Sequence, residues 1–215
     1  MMKRIGISLR VQKIEKINEK RDAISHDWIN FLQALDYLPI LIPNNLKNVG
    51  DFILELKLDG VILSGGDNIG EFPERDMTET KVLEYAIKNS IPVLGVCRGM
   101  QLINTYFDGA ISKNMNSSHV GVEHDVEIID SNFINFLGDN SLKVNSFHNN
   151  LIKKEDIGNN LMIFAQSEND STIEGYFHKE LPIVGVMWHP ERDKERENQS
   201  KIVDIIYNKI AWQNN

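Results

Sequence analysis

The chain of 215 residues contains one cysteine, Cys97, and it lies between two glycines in Gly95-Val96-Cys97-Arg98-Gly99. An apolar run, 91–96, leads into it and a helix-like pattern, 99–107, leads out. G-x-C-x-G is the thiol counterpart of the G-x-S-x-G turn that presents a nucleophile between a strand and a helix. Such a turn strains the nucleophile's backbone, and glycines on both flanks admit the close strand–helix approach. The helix aims its N-terminus at the sulfur, which favours negative charge there. A buried structural cysteine is the competing reading of the pentapeptide alone.

A nucleophile needs a base and a group that orients it. Among the histidines at 26, 119, 124, 148, 178 and 189, His189 ends the apolar run 182–188 and precedes Pro190 and Glu191. Proline stops strand pairing there, and Glu191 is close enough in sequence to reach back and set the imidazole tautomer. An isolated His-Pro-Glu is more simply a strand end. With the cysteine elbow upstream in an α/β sheet, the catalytic reading becomes the better one. The third part is Ser64-Gly65-Gly66-Asp67, after the apolar run 58–63. Paired glycines free backbone N–H groups to face a ligand, and the Gly66 and Arg98 N–H groups are expected to converge on one oxyanion. A plain Gly-Gly loop is the alternative.

These residues must be positioned by a sheet. Strands are expected at 4–9, 38–43, 58–65 and 91–96, alternating with helices at 23–35, 48–56, 77–90 and 99–107. That alternation implies a mainly parallel central sheet with helices on both faces, its strand carboxyl ends sharing the ligand-binding edge. The second half changes character: 119–130, 141–147, 161–167, 171–178 and 181–189 are strand-like runs between Asn, Asp and Gly turns, expected as antiparallel additions. A last helix is expected at 201–212. The absence of a Pro/Gly/Ser-rich linker argues for a single domain, 1–215.

Bulk properties exclude several classes. A net charge of −8 argues against a nucleic-acid or anionic-membrane partner. One cysteine excludes an internal disulfide framework, and no stretch reads as a signal peptide or membrane span, so a cytoplasmic protein is expected. His119, Glu123 and His124 suggest a metal site only weakly: 119 and 124 point to opposite faces of a strand, and no second cluster adds ligands. No metal is expected. The phosphate loops of ATP- and NAD-binding proteins are absent, so no cofactor is expected. The charge runs 15–22 and 191–198 read as solvated surface, with Lys13, Arg21 and Arg192 the cations available to meet a phosphate at the mouth of the site.

Together, "LSGGD" (63–67), "GVCRGMQLIN" (95–104) and "GVMWHPE" (185–191), in this order and spacing, resemble the class I glutamine amidotransferase-like, flavodoxin-like fold. More narrowly they resemble its free-standing γ-glutamyl hydrolases. "RDMTE" (75–79), "VNSFH" (144–148) and "STIEGY" (171–176) add to the likeness, which runs from residue 3 to about 195. The resemblance implies Cys97 as nucleophile, His189 as base and acid, Glu191 as orienting carboxylate, and Gly66 and Arg98 as oxyanion donors. It further implies that Gln101, Phe147, His148 and Asn149 hold the glutamyl group. Two segments depart from the family: His148-Asn149-Asn150, and the short loop "NIGEFPERD" (68–76). Both lie on the expected leaving-group side. The short chain as a whole is most similar to the branch that hydrolyses γ-glutamyl-CDP-amidate in capsule phosphoramidate formation. A small, nucleotide-bearing γ-glutamyl conjugate is therefore the expected partner, with a homodimer left open. Two alternatives stand beside it: a glutaminase subunit feeding ammonia to a separate synthetase, and a non-catalytic binding or redox-sensing protein of this fold.

Overall fold

The computed structural model describes residues 2–113, 120–193, 196–208 and 212. In chain order the first half runs β1 (Arg4–Ser8), a hairpin of β2 (Arg10–Ile14) and β3 (Glu19–Ala23), α1 (His26–Ala34), β4 (Leu38–Ile42), α2 (Val49–Leu56), β5 (Gly60–Leu63), α3 (Pro73–Lys88), β6 (Val93–Val96) and α4 (Arg98–Tyr106). The second half adds β7 (Ser112–Lys113), β8 (Val120–Ile128), α5 (Ser131–Leu137), β9 (Ser141–Phe147), β10 (Asn150–Leu151), β11 (Leu161–Ser167), β12 (Ile173–His178), β13 (Ile183–Val186) and α6 (Arg196–Tyr207).

Nine strands form one sheet in the order β4-β1-β5-β6-β13-β12-β11-β8-β9. The first five are parallel, and the ladders from β13 to β9 are antiparallel. This is the expected parallel sheet with antiparallel additions. Its apolar strands lack polar alternation because both faces are covered. Val61, Leu63, Val93 and Ile183 pack with Ile53 of α2, Val82 of α3 and Ile103 of α4. Their neighbours Ile62, Leu94 and Val184 face the other way, against Phe31 of α1, Phe133 of α5 and Ile206 of α6. Each such side chain, fully buried, contributes about 1.5–3 kcal/mol.

Local chemistry sets the helix starts. Ser25 caps α1 by accepting from the Asp27 N–H, and Asn48 caps α2 through Asp51. Helix α3 begins at Pro73, earlier than the expected 77, because proline suits the first helical position and Glu74 and Asp76 favour the first turn. The charge run 15–22 is solvent-exposed, yet much of it lies in the β2–β3 hairpin, whose ladder runs from Arg10↔Ala23 to Ile14↔Glu19. Its one buried side chain, Val11, leaves no period-2 signal to read. Helix α5 was not expected either; it is held by the Asp130 N-cap and by Gly138 at φ 82°. The last helix starts at Arg196 rather than 201. Among the described residues no helix is long and apolar enough to cross a membrane.

Registers Leu63↔Gly95 and Val96↔Val186 align the carboxyl ends of β5, β6 and β13. The loops that leave those ends carry Gly66, Cys97 and His189.

Candidate active site

Cys97 occupies the turn between β6 and α4 at φ 50°, ψ −102°. Positive φ in a residue with a Cβ costs about 1–3 kcal/mol and persists only where the surroundings enforce it. Here the Cys97 N–H donates to Val186 O (2.8 Å), and Cys97 O accepts from the Gln101 N–H (3.0 Å). The turn is thereby fastened to β13 on one side and to its own helix on the other. Gly99 is required by proximity: a Cβ there would lie 2.0 Å from Leu63 O. One on Gly95 would lie 2.8 Å from Gly99 C and Met100 N.

His189 is buried beside the elbow. Its Nδ1 is 2.8 Å from Glu191 Oε1, and Cys97 lines the same cleft. With Nδ1 engaged by the carboxylate, Nε2 is the nitrogen left for sulfur. Burial disfavours the imidazolium, but Cys97 and then Glu191 outweigh it and raise the His189 pKa to about 9. The backbone of His189 is clasped by Asn145, whose Oδ1 accepts from His189 N–H (3.0 Å) and whose Nδ2 donates to His189 O (2.8 Å). Phe147 sets its ring edge-on to the imidazole, centroids 5.9 Å apart at 81°. Gly65 leaves the ring its space, because a Cβ there would be 2.6 Å from His189 Cε1.

The expected oxyanion donors sit on an ionic scaffold. Gly66 has φ 105°, which a residue with a Cβ rarely adopts. Arg98 is the first residue of α4, so its N–H has no intrahelical acceptor. The Arg98 side chain is buried and pairs with Glu79 and Asp76. Glu79 also meets Arg75 (3.0 Å) and accepts from Ser8 Oγ (2.7 Å). Arg75 donates to Ser64 O (2.8 Å), Gly65 O (2.9 Å) and Asp67 (3.0 Å). One network, buried at Ser8, Arg75, Glu79 and Arg98 and part-exposed at Asp67 and Asp76, thus joins β1, the Gly-Gly loop, α3 and the start of α4. Burial pushes the Asp67 carboxyl up, yet Arg75, the Val11 N–H and Arg10 together hold it below its ordinary range. Removing one charge from such a network leaves its partners buried and uncompensated, which costs about 3–5 kcal/mol. Glu79→Gln should therefore lower stability by about that amount, read as a reduced urea midpoint at unchanged slope; an unmoved midpoint would show the network to be dispensable.

Gly66, Cys97, Arg98, Gln101, Phe147, His148, Asn149 and His189 all line one cleft of about 270 Å³. Glu191 lies behind His189 and lines a small adjoining cavity of about 50 Å³. Gln101 accepts from Asn150 (3.3 Å), which also donates to Asn68 (3.2 Å). His148 is oriented by the fold: its Nδ1 is 2.8 Å from Asn150 O and its Nε2 is 3.6 Å from Glu174 Oε1. Glu174 is wholly buried, and His124 approaches the same oxygen at 3.6 Å. Burial pushes the Glu174 carboxyl up, but the two imidazoles outweigh it and hold it below its ordinary range.

Several residues here were not singled out from sequence. Asn145 and Glu174 stand inside the quoted "VNSFH" and "STIEGY" runs, so those runs held a signal without a role. Arg10 lines the cleft, whereas Arg21 pairs with Glu19 (2.6 Å) and Lys13 with Glu15 (3.0 Å) on the hairpin, away from it. Among the described residues no group of three or more His, Cys, Asp or Glu is arranged to hold a metal ion; His119 lies outside them.

A mainly parallel sheet with this elbow and this histidine at its carboxyl edge is the arrangement of a class I glutamine amidotransferase-like protein. The chain belongs to the Peptidase C26 family, whose profile matches residues 4–191. It is 34% identical over 201 residues to a γ-glutamyl-CDP-amidate hydrolase of Campylobacter jejuni, covering 90% of this chain and 92% of that one. It is also 27% identical over 173 residues to a carbamoyl phosphate synthase small chain of Streptococcus pyogenes, covering 80% of this chain but 44% of that one. The crystal structure of a glutamine amidotransferase from Thermotoga maritima shares the fold at TM-score 0.65 and 20% identity, covering 98% of this chain and 86% of that one.

Proposed function

We propose that this protein is a cysteine-dependent γ-glutamyl amide hydrolase, with γ-glutamyl-CDP-amidate as its substrate. The observation that carries this is the strained Cys97, sharing one cleft with an imidazole whose Nδ1 is held 2.8 Å from Glu191. Cys97 Sγ attacks the γ-carbonyl carbon, and the Gly66 and Arg98 N–H groups receive the oxyanion. The C–N bond breaks as His189 gives its proton to the leaving nitrogen. Neutral His189 then takes a proton from water, whose oxygen adds to the glutamyl thioester; the C–S bond breaks, glutamate leaves, and the Cys97 thiolate stands again beside protonated His189. Gln101, Phe147, His148 and Asn149 hold the glutamyl group. With one cysteine the chain has no internal disulfide framework, so we place the reaction in the reducing cytoplasm. The substrate rests on the 34% likeness to the Campylobacter hydrolase and is tested by release of glutamate from a panel of γ-glutamyl conjugates that includes glutamine. Cleavage of glutamine alone would remove the substrate.

The likeness to a carbamoyl phosphate synthase small chain favours a second reading, a glutaminase subunit. Glutaminase activity silent until a synthetase is added would select it.

The proton on His189 makes the rate sensitive to pH in a stated direction. Above about 9 the imidazolium is lost, and with it the proton for the leaving nitrogen, so kcat/KM should fall as pH rises through that value. Glu191→Gln removes a charge that raises this pKa. The falling limb should then move to lower pH, with a loss in rate smaller than that for His189→Ala. A limb that stays in place in Glu191→Gln would mean that another group holds the ring.

A further inference from the structure

We propose that Arg10 and Arg192 form a clamp for a phosphate-bearing leaving group on the His189 side of the cleft. The inference rests on the γ-glutamyl hydrolase reading and adds to it the residues that select the amine half. The leaving nitrogen must lie beside His189 to be protonated, so whatever it carries occupies the walls around that ring. Arg10 and Arg192 supply cations to those walls, and both border the main cleft and the small cavity behind His189. The Arg10 guanidinium lies against the oxyanion loop, its Cζ and Nε 3.5 Å from where a Gly66 Cβ would stand. Asp67 holds it through Nη2 (3.1 Å), while its Nε has no acceptor and is buried. Arg192 lies over the opposite wall, its guanidinium carbon 4.7 Å from the Phe147 ring centre.

Both side chains keep part of their surface open, 44% for Arg10 and 37% for Arg192. Arg192 Nε also lies 3.7 Å from Glu191 Oε1. The other arginines nearby are buried in their ion pairs: Arg98 with Glu79 and Asp76, and Arg75 with the loop carbonyls, Asp67 and Glu79. In a chain of net charge −8, two part-exposed guanidinium groups bordering one cleft are a local reversal of sign. Planar forks suit the oxygens of a phosphate and can be bidentate. Stacking on Phe147 pre-orients one of them, so less freedom is lost on binding.

The test compares three γ-glutamyl conjugates on wild type, Arg10→Gln and Arg192→Gln: the CDP-amidate, the uncharged p-nitroanilide, and the carboxylate-bearing γ-aminobutyrate amide. Wild type should prefer the CDP-amidate over the anilide in kcat/KM. Each substitution should cut that ratio about tenfold, the scale of one charge-assisted hydrogen bond, and Arg→Lys should restore part of it. Inorganic pyrophosphate should compete with the anilide and do so more weakly in both variants. A ratio unchanged in either folded variant overturns the clamp, as does a wild-type preference for the γ-aminobutyrate conjugate. Calorimetry of pyrophosphate on Cys97→Ala separates the two readings. Binding that weakens on adding Arg10→Gln, with no γ-glutamyl conjugate cleaved by wild type, would support the clamp and sink the hydrolase.

Discussion

Cys97→Ala should abolish glutamate release while the protein keeps its fold. The sulfur is the only atom of the side chain that the chemistry uses, and the cleft around it is built from elsewhere: the Gly-Gly loop, the His189 turn and the 147–150 segment. Loss of a covalent nucleophile from such an arrangement costs on the order of 10⁴–10⁶ in kcat, because residual catalysis by oxyanion donors and binding is small. Stability should change little or rise. Alanine removes a sulfur that is buried to 8% exposure and leaves the same positive φ to be held by the bonds to Val186 and Gln101. Cys97→Ser is the stricter probe, since it keeps size and a hydroxyl but replaces the better nucleophile. The measurements are steady-state glutamate release and a urea melt. An alanine protein retaining a tenth of wild-type kcat would end the mechanism.

The second large effect is steric. Gly99→Ala adds one methyl group that meets Leu63 O at 2.0 Å and Leu63 C at 2.7 Å. Neither contact can be relieved by turning a side chain, because both atoms are backbone. Either β5 or the start of α4 must move, and both feed the site. Leu63 precedes the Gly-Gly loop, and α4 begins with the Arg98 N–H. Overpacking a rigid contact of this kind costs about 3 kcal/mol, at the upper end of such insertions. A displacement of about 1 Å in positioned groups costs about a hundredfold in rate. The expectation is a protein that melts earlier and, well below its melting temperature, turns over at least a hundred times more slowly. If Gly99→Ala shifted the melt but left kcat intact, the strand and helix would have parted without disturbing the oxyanion donors, and their placement here would be wrong.

The parts legible in sequence are those whose causes lie within a few residues. Apolar runs without polar alternation announce strands covered on both faces, and the α/β alternation follows from them. The elbow is marked by five consecutive residues, because the strain at Cys97 and the approach of Gly95 to Gly99 and Met100 lie within the turn itself, whereas the contact that requires Gly99 comes from Leu63 on the neighbouring strand. His189, Pro190 and Glu191 are near enough in sequence for the carboxylate to find the ring. The β2–β3 hairpin was not legible, since nearly all of it is open to solvent and its one buried side chain, Val11, sets no hydrophobic period.

What only tertiary structure decided are the pairings between distant segments. Arg10 and Arg21 are equivalent in composition, but the hairpin register places Arg10 at its base near the sheet edge and Arg21 out along the ladder, paired with Glu19. Asn145 clasps His189 from 44 residues away, and Glu174 reaches His148 from a strand across the sheet. The Arg75–Glu79–Arg98 network is built on an i,i+4 helix pair that any surface helix could display. Packing buries that pair under β1 and the Gly-Gly loop, where water can no longer screen it. Burial is a property of the whole chain: it turns charges that would be solvated alone into the frame that holds the Gly-Gly loop.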